Sequence, residues 1–219
     1  MNASSSPSSS FCSSSFMSSS SAGVAAGALS SRDLRVLEAL RPFLGVEAEA
    51  LFEVHGRSLH RLIGFARDTS GIGWLQMLAG LRLARELLME DLRPSQAFRS
   101  AYAVSDYLKL HFAGQAHESF AVLFLNAQHT MLAFEDMFRG TLMQADVYPR
   151  EVVKRALQLN ASAVILAHNH PSGHVEPSEA DVAVTRVLKE ALALVDVQVL
   201  DHIVVGHNRA ASMAECGLL

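Results

Sequence analysis

Cysteine is almost missing from this chain, with only Cys12 and Cys216 in 219 residues. One lies in a serine tract and the other beside the C-terminus, too few for a disulfide scaffold or a cysteine zinc cage. A reducing, cytoplasmic location is expected, and the Cys-x-x-Cys ligands of a zinc nucleoside deaminase are excluded. Charge of one sign is also scarce. A formal net charge of −4 gives no overall attraction to phosphate backbones, so any nucleic-acid contact has to come from a local patch. Long apolar runs are lacking, and nothing approaches the roughly 18 uninterrupted residues of a membrane span. No Lys or Arg precedes Arg32, so the basic leading region of a secretory signal is missing. The final Cys216-Gly217-Leu218-Leu219 matches a prenylation pattern. It has neither a polybasic segment nor a second lipid signal upstream and is read as a chance match.

What is present is core-forming material: half of the residues are apolar and 18% are charged, as in a globular protein. Residues 1–31, mostly serine followed by small apolar residues, cannot bury enough surface to fold alone and are expected to form a disordered tail. From Arg32 to about Glu90 apolar residues recur at helical spacing, as in Leu34, Leu37 and Leu40 and then Leu51, Val54, Leu59 and Leu62. A small helical domain over 32–92 follows from this. Gly71-Ile72-Gly73 interrupts it, and the run Trp74–Leu88 offers an apolar face of Leu75, Leu78, Leu81, Leu83 and Leu87. Asp91–Ser100 reads as a linker.

Beyond Ser100 the period changes. Ser119–Asn126 and Thr130–Phe138 read as strands joined by an Asn126-Ala127-Gln128-His129 hairpin, and Gly140–Val147 as a third strand. Pro149 opens a helix ending near Asn160, with a stripe of Val152, Val153, Ala156 and Leu157. A buried strand over Ser162–Ala167, a helix from Ser178 to about Leu194 and a last strand over Val197–Val205 complete a mixed sheet with flanking helices.

The chemistry concentrates in His168-Asn169-His170-Pro171-Ser172-Gly173 and the following Ser178-Glu179-Ala180-Asp181. Residues two apart at a strand end point the same way, so His168 and His170 can present two imidazole nitrogens to one ion. Asp181, in the first turn of the next helix, supplies a third ligand. Zinc with three N and O ligands keeps its fourth position for water, as catalytic sites do. Glu118, just ahead of the first strand, is the candidate acid/base, and Ser178 the candidate oxyanion donor. Each piece has a plainer meaning. Ser178-x-x-Asp181 is also an ordinary capping box, and a strand-end His-x-His pair is often only hydrogen-bonded. His174 and His202 are read as structural or solvent-facing and left out of the metal set. Asp201 either orients a ligand histidine or satisfies backbone donors.

His168-x-His170, seven residues, Ser178, two residues and Asp181 resemble the JAMM motif of the JAB/MPN metalloprotease superfamily. Within it the chain resembles the bacterial RadC family through Glu118-Ser119-Phe120, Leu123-Phe124-Leu125-Asn126, Gly140-Thr141 and Pro149-Arg150-Glu151-Val152. Asn160-Ala161, Pro177-Ser178 and Leu200-Asp201-His202 add to the likeness, which covers about residues 98–219. The resemblance implies an α/β (α+β) fold, a JAB/MPN-type mixed sheet with helices in a cytidine-deaminase-like architecture. It implies one zinc ion on His168, His170 and Asp181, Glu118 as acid/base, Ser178 at the oxyanion, and a protein or peptide substrate. Ser212–Leu219 resembles the family's terminus, a serine-containing strand with a Gly-Leu-Leu-like tail.

In RadC-like proteins the preceding region resembles a helix-hairpin-helix, whose Gly-x-Gly turn offers backbone N–H groups to a DNA phosphate. Gly71 and Gly73 occupy that place here, but Trp74, Leu75 and Gln76 follow without a cation. A degenerate module that packs on the catalytic domain or on a second subunit, as in a homodimer, is the expectation, with DNA contact as the alternative. The leading function is a zinc hydrolase cleaving an amide or isopeptide bond. Its competitors are a metal-dependent nuclease and a non-catalytic, DNA-repair-associated binding module.

Overall fold

The computed structural model describes residues 28–92, 101–140 and 147–219. The helical region comprises α1 (Ser31–Leu44), a short 3-10 turn, α2 (Ala48–Val54), α3 (Leu59–Arg67) and α4 (Ile72–Leu92). Ser30 and Asp33 form a reciprocal capping box that starts α1. Leu37, Leu40, Phe52 and Leu62 bury together as the core of this region. None of the helices among the described residues is long and apolar enough to cross a membrane.

The apolar face expected along α4 is not a buried face. Leu75, Leu83 and Leu87 are more than half exposed, and the helix buries Met89 and partly covers Trp74, Met77 and Leu88 instead. At about 100° per residue, the steps of three from Leu75 to Leu78 to Leu81 precess around the helix, so these leucines do not share a side. Gly73 sits where α4 crosses α1, and a Cβ there would lie 2.0 Å from the Phe43 carbonyl oxygen. Close packing therefore accounts for this glycine. Gly73→Ala is expected to destabilise the helical region by about 1–3 kcal/mol, the usual penalty of overpacking. Chemical denaturation measures it, and an unchanged midpoint would mean that the α1–α4 contact is looser than drawn.

The second part contains α5 (Ala101–His111), β1 (Ser119–Leu125), β2 (Met131–Arg139), α6 (Pro149–Gln158), β3 (Ala163–Asn169), α7 (Glu179–Ala193), β4 (Gln198–Val205) and β5 (Ala210–Ser212). The strands form one mixed sheet in the order β2-β1-β3-β4-β5, parallel between β3 and β4 and antiparallel elsewhere. The chain is therefore mixed α/β, with a helical region ahead of the sheet. Alternate residues of β1 enter two cores. Ala121, Leu123 and Leu125 pack with Val104, Tyr107 and Leu108 of α5, whereas Phe120, Val122 and Phe124 pack with α6 and α7. Burial on both faces is what makes β1 a continuous apolar run rather than an alternating one.

The structure adds to or adjusts the expectations at four points. Helix α5 was not anticipated. Leu157 is exposed, because α6 buries only Val152 and Ala156 and turns Leu157 past its buried stripe. Strand β3 runs on through His168 and Asn169, and β4 is followed by the short β5, which pairs with it. The expected Gly140–Val147 strand and the Asp91–Ser100 linker fall largely on 141–146 and 93–100, and most of the tail on 1–27, outside the described residues.

Besides the packing of α4 on α5 through Met89 and Leu88, the helical region meets the sheet domain through α3. A Cβ on Gly114 would stand 2.6 Å from the Gly64 backbone nitrogen, so α3 and the segment after α5 meet backbone to backbone. His60 of α3 stacks on His207, with ring centroids 4.2 Å apart, and accepts the Gly114 N–H at Nδ1. Burial, then His207 and Arg67, push His60 down to about 4, which keeps that nitrogen free to accept.

Candidate metal centre

The parallel ladder between β3 and β4 carries β3 to its end at Asn169, and the next residue turns away through His170 and Pro171. Antiparallel pairing of Phe120 with His168 sets the register in which Glu118, two residues earlier, faces the His170 end of β3. Asn169, pointing to the opposite side from its neighbours, fixes this arrangement. Its Oδ1 accepts the Ser119 N–H at 2.8 Å and its Nδ2 donates to the His117 carbonyl at 3.0 Å. Glu118 is thereby held between two backbone bonds to one side chain, half-buried beside the histidines.

Three donors converge. His168 Nε2 lies 3.0 Å from His170 Nε2 and 3.2 Å from Asp181 Oδ1, and His170 Nε2 lies 3.5 Å from Asp181 Oδ2. This is the group among the described residues whose ligand atoms lie within 4.8 Å of one another. Ligand atoms about 2.0–2.2 Å from one tetrahedral zinc stand roughly 3.4 Å apart, so the spacing and the N, N, O set fit that ion. Glu118 is not one of the converging donors.

Asp181 performs the capping role at the same time. Its Oδ2 accepts the Ser178 N–H at 2.7 Å and the Ser178 hydroxyl at 2.6 Å, while the Asp181 N–H donates back to Ser178 Oγ. The capping box thus engages Oδ2 and leaves Oδ1 turned to His168. Burial pushes the Asp181 carboxyl up, but the imidazoles of His168 and His170 facing it outweigh this and hold the group far below the usual carboxylate range. In return, the hydrogen bond to Asp181 raises His170 above the ordinary histidine value, and the Glu118 charge adds to this.

Both histidines are oriented from behind. His170 Nδ1 lies 3.1 Å from the His174 carbonyl and donates to it, so the neutral ring turns the lone pair of Nε2 toward the centre. His168 Nδ1 lies 2.8 Å from His202 Nε2, and His202 Nδ1 meets the Thr185 hydroxyl, which donates to the Asp181 carbonyl. Since Thr185 uses its hydrogen on that carbonyl, it accepts from His202 Nδ1–H. His202 Nε2 then accepts from His168 Nδ1–H, and His168 Nε2 is left unprotonated. Burial, reinforced by His168, pushes His202 well down and keeps it neutral. The chain of bonds from the Asp181 backbone through Thr185 and His202 to His168 is dry, with His202 0% and Thr185 1% exposed.

His202 and Thr185 are therefore neighbours of the candidate ligands that sequence reasoning missed, and His202 is structural in the particular sense of accepting the His168 Nδ1–H. The available signal was a histidine inside the apolar run Val197–Val205, since a buried polar group has to find a partner. Asp201 accepts the His202 and Ala214 N–H groups and the Ser212 hydroxyl, so it ties β4 to the C-terminal turn and contacts neither ligand histidine in these bonds. His174 contributes its backbone carbonyl. Gly71 and Gly73 stand at the start of α4, in the helical region.

Residues 98–218 match a family described as the RadC-like JAB domain. Among curated relatives, a UPF0758 protein of Polaromonas sp. (strain JS666 / ATCC BAA-500) is 59% identical over 144 residues, covering 66% of this chain and 64% of that protein. A UPF0758 protein of Methylibium petroleiphilum is 51% identical over 188 residues, covering 80% of this chain and 85% of the relative. One of Acidovorax sp. (strain JS42) is 58% identical over 144 residues, and the match spans 60% of its length.

Proposed function

The chain belongs to the RadC family of JAB/MPN proteins, and on that premise we propose that it is a zinc-dependent hydrolase of amide or isopeptide bonds in a protein or peptide substrate. The observation that carries this reading is the convergence of His168 Nε2, His170 Nε2 and Asp181 Oδ1/Oδ2 at 3.0–3.5 Å, with Glu118 beside them and outside the ligand group. His168, His170 and Asp181 would hold the zinc ion, which when bound would supply Lewis-acid polarisation and lower the pKa of a coordinated water to about 7. Glu118 takes a proton from the attacking water and delivers it to the leaving nitrogen. The Ser178 hydroxyl donates to the developing oxyanion. Because that hydroxyl is bonded to Asp181 Oδ2, it has to rotate away during the reaction, and the Ser178 N–H stays behind to hold the carboxylate.

The test is the zinc content of the purified full chain, together with hydrolysis of peptide, isopeptide and DNA substrates. About one zinc per chain with peptide or isopeptide cleavage supports the reading. Cleavage of DNA alone replaces it with a nuclease, and a metal-free, inactive chain even after zinc addition overturns the site assignment.

Ser178→Ala separates the hydroxyl's two roles. As an oxyanion donor its loss is expected to lower kcat by about 10²–10³ with zinc retained. A change confined to about 1 kcal/mol of stability, with kcat intact, would reduce Ser178 to a helix cap.

His202→Phe removes the acceptor that holds His168 Nδ1–H while keeping an aromatic ring in the core. Zinc affinity, measured by competition with a chelator, is expected to fall about 10–100-fold, as for other partners behind metal ligands. A folded variant with unchanged affinity would show that His168 keeps its tautomer without this chain.

A further inference from the structure

Two cavities share Arg67, the larger between α3 and the β2 side of the sheet and the smaller between α3, α4 and α5. The smaller, about 230 Å³, is lined by Arg67, Arg82, Arg85 and His111 together with leucines, and by no carboxylate. It is below the roughly 300 Å³ at which pockets for drug-sized ligands begin, which suits a compact ion. Arg85 is held in a fixed orientation. Its Nη1 lies 3.3 Å from His111 Nδ1, and the buried His111 reaches Asp136 Oδ1 from Nε2 at 2.7 Å. His111 Nε2–H thus donates to Asp136 and Nδ1 accepts from Arg85. With Nη1 so engaged, the Arg85 Nε is buried and has no partner among the described residues, an expense that folded proteins seldom leave uncompensated.

The charges point the same way. Arg67 donates Nη2 to the Ala113 carbonyl at 2.8 Å and lines the cavity. Burial, then Arg82 and Arg85, hold it below the ordinary arginine value, with Asp136 and Asp68 offsetting part of this. Glu86 approaches Arg85 only at 3.6 Å and is mostly exposed. Three like charges thus converge on one hollow with their nearby carboxylates outside its lining.

We propose that this cavity is a phosphate-binding site in which Arg67, Arg82 and Arg85 neutralise and hydrogen-bond one phosphate group. Guanidinium forks match the geometry of phosphate oxygens, and three cations suit a dianion better than a singly charged carboxylate. The larger cavity, about 590 Å³, shares Arg67 but also carries Asp68 and Asp136 in its lining, so the phosphate site is confined to the smaller one. The phosphate group belongs either to a free phosphate compound or to the backbone of a nucleic-acid strand. None of these residues is a candidate zinc ligand, and the site stands or falls independently of the hydrolase reading.

The experiment is calorimetric titration of the full chain at low salt with inorganic phosphate, pyrophosphate and a short single-stranded oligothymidylate. Arg82→Gln, Arg85→Gln and the exposed control Arg150→Gln on α6 are titrated alongside, and thermal melting checks their folding. At least one probe is expected to bind the wild type, about tenfold more weakly to Arg82→Gln and Arg85→Gln, and unchanged to Arg150→Gln. Binding of oligothymidylate alone identifies a nucleic-acid backbone, and binding of phosphate or pyrophosphate a free phosphate ligand. Arg82 is exposed, so its variant tests the site without disturbing the His111–Asp136 contact. No binding of any probe to the wild type overturns the proposal, as does equal affinity in wild type and Arg82→Gln.

Discussion

Asp181→Ala and His170→Ala are each expected to bring zinc from about one per chain to near none and to abolish hydrolysis, the largest effect of any change in this protein. Each removes one of three donors, a greater loss than the roughly 10–100-fold that follows when only a partner behind a ligand is lost. Asp181→Ala also unmakes the capping box, freeing the Ser178 N–H and hydroxyl from Oδ2, which costs about 1 kcal/mol at the start of α7. Asp181→Asn separates the two consequences. Its amide oxygen can still accept from Ser178, but the charge that faces His168 and His170 is gone. Metal analysis and thermal melting together should show Asp181→Asn folded close to wild type and depleted of zinc. Zinc retained in both Asp181 variants would leave the aspartate a cap alone. Because the bond to Asp181 raises the His170 affinity for a proton, zinc uptake releases that proton, and affinity is expected to weaken as pH falls.

The part of the centre legible in the sequence is the part whose spacing is local. His168 and His170 share a side because strand residues alternate, and Asp181 returns to them because a helix cap brings its third residue back to the first. The mutual exclusion between capping box and metal ligand disappears in three dimensions, since one carboxylate has two oxygens and uses them differently. His202 and Thr185 carry no such local signature. They meet His168 through the β3–β4 ladder, which pairs Leu166 with His202, and through the packing of α7 on β4. Asn169 separates the two histidines in the sequence, and as a buried polar residue on the opposite face it needs its own partners, which it finds on both sides of Glu118. Helix α5 was legible in principle, because Val104, Tyr107, Leu108 and Phe112 recur at helical spacing and all are buried. The leucines of α4 show the converse. An apolar residue every three positions is not by itself a buried stripe, and the side that α4 buries was settled by where α1 and α5 stand.

Glu118→Gln should lower the rate of hydrolysis by about 10²–10⁴ while leaving the zinc content unchanged. The substitution keeps size and hydrogen-bonding reach but cannot take up and return a proton, so it isolates acid/base catalysis from metal binding. Glu118 is suited to that division of labour. The register of β1 on β3 sets it opposite the His170 end of the strand, and its charge acts on His170. The bonds from Asn169 to His117 and Ser119 hold its backbone and do not depend on the Glu118 side chain, so the variant should fold as the wild type does. If zinc were lost with the carboxylate, Glu118 would be a fourth donor rather than a base. If zinc and the full rate both survived, the proton would have to be handled elsewhere. The combination of retained zinc and lost rate, set against the simultaneous loss of both in His170→Ala, is the pattern that only a base standing beside the metal, and not bound to it, produces.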